Sequence, residues 1–151
     1  EAYYADFAKD IPMLPRAAVG YTVEAANQCV RLVLSNIFDH LPRLKIMIGH
    51  LGEAIPFLIE RIDESLSRNR GRDWSFRKYF CEHFYVTTSG HFSTPALLCT
   101  MMELSSERIL FAVDWPYVTN KAGVDWLRSA PISALDKHRI FTKNAEKILR
   151  L

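Results

Sequence analysis

Cysteine is scarce here: three residues in 151, at Cys29, Cys81 and Cys99. An odd number cannot all pair, and their separations fit no zinc-knuckle spacing, so they read as reduced thiols of a core. Long apolar runs are missing as well. Stretches such as Ala54–Ile59 fall far below the roughly 18 residues a membrane span needs. Charge of one sign is not in excess either: 19 Lys and Arg against 17 Asp and Glu leave +2. That balance argues against a dedicated nucleic-acid or membrane-surface binder. No basic-then-apolar leader opens the chain, so a cytoplasmic protein is expected. No repeat, low-complexity tract or Gly/Ser linker divides it, so one domain is expected over 1–151. The chain opens Glu1-Ala2-Tyr3-Tyr4 without an initiator Met, and is expected to be a piece of something longer.

What is present is the balance of a globular protein, 49% apolar and 24% charged. From Val23 to Leu41 a helical stripe runs through Ala26, Cys29, Val30, Val33, Ile37 and Leu41, and Pro42 ends it. Leu44–Ile48, bounded by Pro42 and Gly49, reads as a buried strand. A helix follows with Ile55, Leu58, Ile59, Ile62 and Leu66 on one face and Pro56 in its first turn, where a missing N–H costs nothing. Arg68–Asp73 reads as a loop and Ser75–Glu82 as a short helix. Phe84–Thr88 is β-branched and aromatic, a second strand. Ser93-Thr94-Pro95 opens a helix that runs to about Leu104, with a hydroxyl cap and Pro at the first position. Arg108–Val113 is the third strand. From Asn120 onward the pattern is helical in two or three pieces, broken at Pro131. Strands alternating with helices predict an α/β fold with a parallel sheet and right-handed crossovers.

In such folds chemistry collects at the carboxyl ends of the strands. The first strand ends in Gly49-His50-Leu51-Gly52-Glu53, the second in Thr87-Thr88-Ser89-Gly90-His91, the third in Asp114-Trp115-Pro116. All three hand over to ionisable or hydroxyl residues at one edge, the pattern of an active-site face. Each residue alone has a plainer reading. His50 suits a structural histidine in a tight turn, and Asp114 a turn former before Pro116. Glu53 suits a helix N-terminus, and Arg61, among Glu60, Asp63 and Glu64, suits a solvated ion-pair face. His91 is as readily a loop residue as a ligand. Two chemistries fail: no Ser or Cys sits in a nucleophile elbow, and Gly49-x-x-Gly52 is no dinucleotide fingerprint.

The runs Ile46–Glu53, Pro56-Phe57, Arg61-Ile62-Asp63, Tyr85–Gly90, Arg108–Pro116 and Asn144–Leu149 resemble one branch of the amidohydrolase superfamily. That branch comprises metal-dependent, non-oxidative decarboxylases acting on gamma-resorcylate, dihydroxybenzoate and carboxyvanillate. The resemblance implies a (β/α)8 TIM barrel, which needs about 250 residues. This chain is similar only to its C-terminal half: strands six, seven and eight with their helices. By resemblance, Asp114 is the metal ligand after strand eight and an acid that delivers a proton. His50 is the catalytic histidine after strand six, and Glu53 its hydrogen-bonding support. Arg61, Ser89 and Trp115 fall to substrate binding. The family's remaining ligands lie on strands one and five, outside this chain, so zinc, manganese or magnesium would be incompletely ligated by it.

The implied reaction is decarboxylation of a small hydroxylated aromatic carboxylic acid. Direct loss of carbon dioxide would leave an aryl anion, so the ring carbon is protonated first. The acid that does so needs a pKa near the working pH. A hydrolase on the same barrel and a non-catalytic half-barrel are the alternative readings. In each case raw strand edges predict pairing with an N-terminal half or self-association.

Overall fold

Three apolar segments pair as strands in the computed structural model, which describes residues 2–71 and 73–151. They are β1 (Ile46–Ile48), β2 (Phe84–Thr87) and β3 (Ile109–Leu110), in sheet order β1-β2-β3. Both pairings are parallel, with Ile48 beside Val86 and Val86 beside Ile109. The result is an α/β fold: a small parallel sheet among many helices, as the alternation of patterns predicts.

Helices α1 (Ala5–Ala8), α2 (Gly20–Leu34) and α3 (Ile37–His40) precede the sheet. Between β1 and β2 lie α4 (Ile55–Arg70) and α5 (Phe76–His83), and between β2 and β3 lies α6 (Thr94–Leu104). The chain closes with α7 (Asn120–Ser129), α8 (Ala134–His138) and α9 (Asn144–Leu149). Ser75, Ser93, Thr119 and Ser133 each cap a helix by accepting a backbone N–H.

Three expectations change. The single helix predicted from Val23 to Leu41 is two, because Asn36 takes the left-handed conformation at φ 61°. Asn tolerates that region, and Arg70 seals the break by donating to the Leu34 carbonyl at 2.8 Å and to Asn36 Oδ1 at 3.2 Å. The loop predicted at Arg68 begins only after Arg70, with Gly71 at φ 99°, while Arg72 lies outside the described residues. The strands are shorter than their apolar runs. A turn closed by Leu44 N–H on the Leu41 carbonyl delays β1. After Leu110 the chain leaves the ladder, and Phe111 N–H bonds the Ile140 carbonyl at 2.9 Å.

The core sits where the helices meet the sheet. Val86, Ile109 and Phe84 from the strands are fully buried with Ile55 and Ile59 of α4, Phe76 and Phe80 of α5 and Leu97 of α6. Phe80 stacks on Phe84 with centroids 4.6 Å apart, and Phe38 stands edge-on to Phe84 at 5.5 Å. Such pairs add to simple area burial. One buried polar group ties the last helix to the sheet: Asn144 Nδ2 donates to the Ser106 carbonyl at 2.7 Å and to the Ile109 carbonyl at 2.6 Å.

Replacing Asn144 with Ala takes the side-chain donor from the Ile109 carbonyl and leaves the Ser106 carbonyl with Ile109 N–H alone, so stability should fall by about 2 kcal/mol, read from urea unfolding. An unchanged midpoint would refute that role. Burial, helped by the Glu53 charge, pushes the Cys29 thiol from 9.0 up to about 11. A thiol whose proton is held more tightly in the folded state stabilises it below the unfolded value. That contribution should be lost as pH rises from 9 to about 11. At neutral pH Cys29 should resist iodoacetamide in the native protein and react once urea unfolds it, as peptide mass mapping would record.

Candidate active site

The turn after β1, Gly49-His50-Leu51-Gly52-Glu53, is held against its own conformational preference. His50, Leu51 and Glu53 have φ of 51°, 55° and 56°, where a side chain is disfavoured. The surrounding fold enforces this. Leu51 is only 2% exposed, packed into the core. Its carbonyl accepts from Thr100 Oγ1 of α6 at 3.0 Å. Gly52 leaves no room for a side chain: a Cβ there would lie 3.0 Å from Pro56 Cγ and 3.1 Å from Val86 Cγ1.

The other two exits converge on the same place. Thr88 extends the sheet with its hydroxyl, donating to the Ala112 carbonyl at 2.6 Å and accepting Ala112 N–H at 3.0 Å. That grip carries the third chain two residues further, to Asp114 at φ 66°. Gly90 backs Asp114 so closely that a Cβ would sit 3.1 Å from Asp114 Cβ and 3.3 Å from its Oδ2.

His50, Glu53 and Asp114 therefore form one cluster. Glu53 Oε1 stands 2.9 Å from His50 Nδ1. A proton on Nδ1 would face that carboxylate and leave Nε2 to face Asp114 Oδ2, at 3.8 Å. Glu53's side chain is 8% exposed, against 42% for His50 and 39% for Asp114. The ends of His50 and Asp114 are thus open, and Glu53 is shielded. Glu53 Oε2 accepts from Thr22 Oγ1 of α2 at 2.7 Å, which leaves Oε1 for the contact with His50.

The remaining candidates divide. Ser89 lies at the edge of the cluster beside Gly49, its hydroxyl 2.5 Å from that of Thr87. Arg61 is exposed on α4, and the expected ion-pair face forms without it. Glu60 pairs with Arg77 at 3.3 Å, Glu64 with Arg68 at 2.8 Å, and Asp63 accepts from Ser75 at 2.9 Å. Trp115 is 70% exposed. His91 is an exposed loop residue. The structure thus brings His50, Glu53 and Asp114 together, sets Ser89 beside Gly49 of the His50 turn, and leaves Arg61 and Trp115 in solvent.

Two residues escaped the sequence reading. Thr22 stands four residues before Ala26 and seven before Cys29, continuing the stripe of α2 with a hydroxyl. Thr100 lies between Leu97 and Leu104 on the buried face of α6. In both, a polar residue at an apolar spacing was the available signal.

As a metal site the cluster is partial. Asp114 offers carboxylate oxygens and His50 an imidazole nitrogen, which fit part of a coordination sphere. Among the described residues, no group of three or more His, Cys, Asp or Glu side chains is assembled to hold an ion. No helix among them is long and apolar enough to cross a membrane.

The amidohydrolase family model matches residues 7–151. A gamma-resorcylate decarboxylase from a Rhizobium species is 34% identical over 145 residues, 93% of this chain and 44% of that protein. Among solved structures, a 5-carboxyvanillate decarboxylase from Sphingomonas paucimobilis superposes with a TM-score of 0.84 at 36% identity, covering 89% of this chain and 42% of that one. A dihydroxybenzoic acid decarboxylase from a Polaromonas species, with bound manganese and the inhibitor 2-nitroresorcinol, superposes with a TM-score of 0.86 at 34% identity. That match covers 99% of this chain and 46% of the other. The chain spans under half the length of the curated relatives it matches.

Gly90→Ala tests the approach behind Asp114. It places a methyl against the carboxylate at a positive φ, so stability should drop by about 1 kcal/mol. In a crystal structure of the variant the Asp114 carboxylate should be displaced from His50. An undisturbed carboxylate would show that the contact is looser than drawn.

Proposed function

The chain belongs to the amidohydrolase family, and on that premise we propose that it is the catalytic-face half of an aromatic-acid decarboxylase. In this reading residues 1–151 form one partial domain, and β1, β2 and β3 are strands six, seven and eight of a (β/α)8 barrel. An N-terminal half, or association with further copies, completes it. Among the described residues β1 is an end strand of the sheet, and the 49% exposure of Met47 on its open face supports that completion. The observation that carries the reading is the facing of His50 and Asp114, 3.8 Å apart at one sheet edge. It occurs in a chain whose relatives are named as decarboxylases of resorcylate and carboxyvanillate.

Asp114 is the residue that would hold a divalent ion, whether zinc, manganese or magnesium, with the other donors coming from the rest of the barrel. Manganese has the support of the Polaromonas structure. When bound, the ion supplies Lewis acidity and a template for a carboxylate and an adjacent oxygen. The work of the chain's own residues is proton transfer. Glu53 holds the Nδ1 proton of His50, which points Nε2 at Asp114 Oδ2. Uptake of a proton from solvent at Nε2 makes His50 an imidazolium; that proton passes to the facing oxygen, which returns His50 to its neutral form, and the acid so formed protonates the ring carbon that bears the carboxylate. Cleavage of the carbon–carboxylate bond then returns the electron pair to the ring and releases carbon dioxide. Ser89 and the exposed Trp115 are suited to contact a flat, hydroxylated acid, and Arg61 to hold a second carboxylate.

In the complete barrel, or with the absent half supplied in trans, Asp114→Asn should abolish both metal retention and turnover. His50→Ala should keep the metal and lower kcat by about two to four orders of magnitude, the range for losing a general acid–base group. Arg61→Ala should raise KM for substrates with a second carboxylate. The deciding assay measures bound metal and evolved carbon dioxide on one sample. Robust decarboxylation by the 151-residue chain alone would overturn the assignment of ligands, and hydrolysis without carbon dioxide would overturn the reaction.

A further inference from the structure

Glu53 orients His50, yet the backbone beneath Glu53 is poorly suited to orient Glu53. Its φ of 56° with ψ of −130° is a sparsely populated combination, and His50 and Leu51 before it are also at positive φ. A side chain on such a turn needs an anchor elsewhere. Among the described residues, Glu53's carboxylate has one hydrogen-bond partner outside the turn: the hydroxyl of Thr22, at 2.7 Å and 31 residues away in sequence.

The position of Thr22 is itself set by the fold. α2 starts at Gly20, which passes so close to the preceding turn that a Cβ would collide with the Pro15 carbonyl. Cys29 and Val33, further along α2, are buried in the core. α2 is therefore placed by a close backbone approach at its start and by core packing further along. The hydroxyl is delivered from a rigid element to a carboxylate that is 8% exposed. A buried carboxylate oxygen left without a donor is costly, so rotamers that keep both oxygens engaged are favoured.

We propose that Thr22 is a positioning residue for the acid–base pair. Its hydroxyl locks Glu53 in the rotamer whose other oxygen takes the Nδ1 proton of His50, and so keeps Nε2 facing Asp114. Thr22 touches no reacting atom; it acts through Glu53 and His50. The kinetic part of this inference rests on the decarboxylase reading, while the structural part does not.

The test uses the full-length protein that contains this chain, with Thr22→Val and Thr22→Ser. Val keeps the shape and removes the hydroxyl; Ser keeps the hydroxyl and removes a methyl. Loss of a group that orients an active-site ligand typically costs 10–100-fold. Thr22→Val should therefore lower kcat by about tenfold or more with KM changed less than about twofold, and Thr22→Ser should restore most of the loss. If Thr22→Val does not fold, Thr22→Ala removes the same donor. A second readout does not depend on turnover. In protein with 15N-labelled histidine, assigned with His50→Ala, neutral His50 should be the Nδ1–H tautomer in the parent and in Thr22→Ser. In Thr22→Val it should be a mixture. Equal impairment by Ser and Val, or parental kcat and tautomer in Val, would overturn the proposal. If the parent decarboxylates nothing, the reaction reading fails, and the tautomer measurement still decides the role of Thr22.

Discussion

The parallel pairing of β2 with both its neighbours is the constraint from which the rest follows. Val86 is fully buried and lies in register with Ile48 on one side and Ile109 on the other. Phe84 and Val86 fill the helix-facing side of β2 while Thr87 stands on the other face, so a slip by one residue would turn a hydroxyl into the core. Because all three strands run the same way, their carboxyl ends open on one edge. Gly49, Thr88 and Ala112 are consequently neighbours, and short exits suffice to bring His50, Ser89 and Asp114 together. In an antiparallel sheet the middle exit would have opened at the far end.

That edge is where the chain's conformational strain collects. Of the non-glycine residues at positive φ, His50, Leu51, Glu53 and Asp114 all belong to the exits. Each such residue costs on the order of 1–3 kcal/mol and persists only where its surroundings over-determine it. The surroundings are identifiable. Thr100 holds the Leu51 carbonyl, Thr88 grips Ala112, and Gly52 and Gly90 admit the close approaches. Asn144 ties β3 to the last helix from behind. The apolar core and these few buried hydrogen bonds together keep the exits in place.

Much of this was legible in the sequence, and the rest was hidden for physical reasons. The strands were readable because Leu44–Ile48, Phe84–Thr88 and Arg108–Val113 are apolar runs bounded by turn residues, and parallel strands buried on both faces leave that mark. Their ends were less readable, since pairing stops where a side chain such as Thr88 takes over from the backbone. The break at Asn36 was invisible because the apolar stripe continues through it; only Arg70, far along the chain, closes the gap. At the site, the ionisable residues one step past each strand were conspicuous. Thr22 was not, because its meaning depends on a contact with Glu53 across 31 residues. Arg61 had the local setting of an ion-pair face, but its neighbours found other partners.

The energetics of the cluster bear on why it exists. His50 and Asp114 are 3.8 Å apart with side chains about two-fifths exposed. An ion pair so open to water is worth about 0–1 kcal/mol. That is less than the strain of even a few of the backbone conformations that present it. An arrangement that loses more than it gains in stability is not kept for stability, whereas the same open geometry is what a proton donor needs to reach a bound molecule. The buried half of the cluster follows the opposite rule. Glu53, shielded, with one oxygen bonded to Thr22 and the other beside His50, sits where water competes little for its acceptors and where a hydrogen bond is accordingly stronger. The division between an exposed acid–base pair and a buried carboxylate support is therefore the feature that most favours a catalytic role for this edge, ahead of any single residue on it.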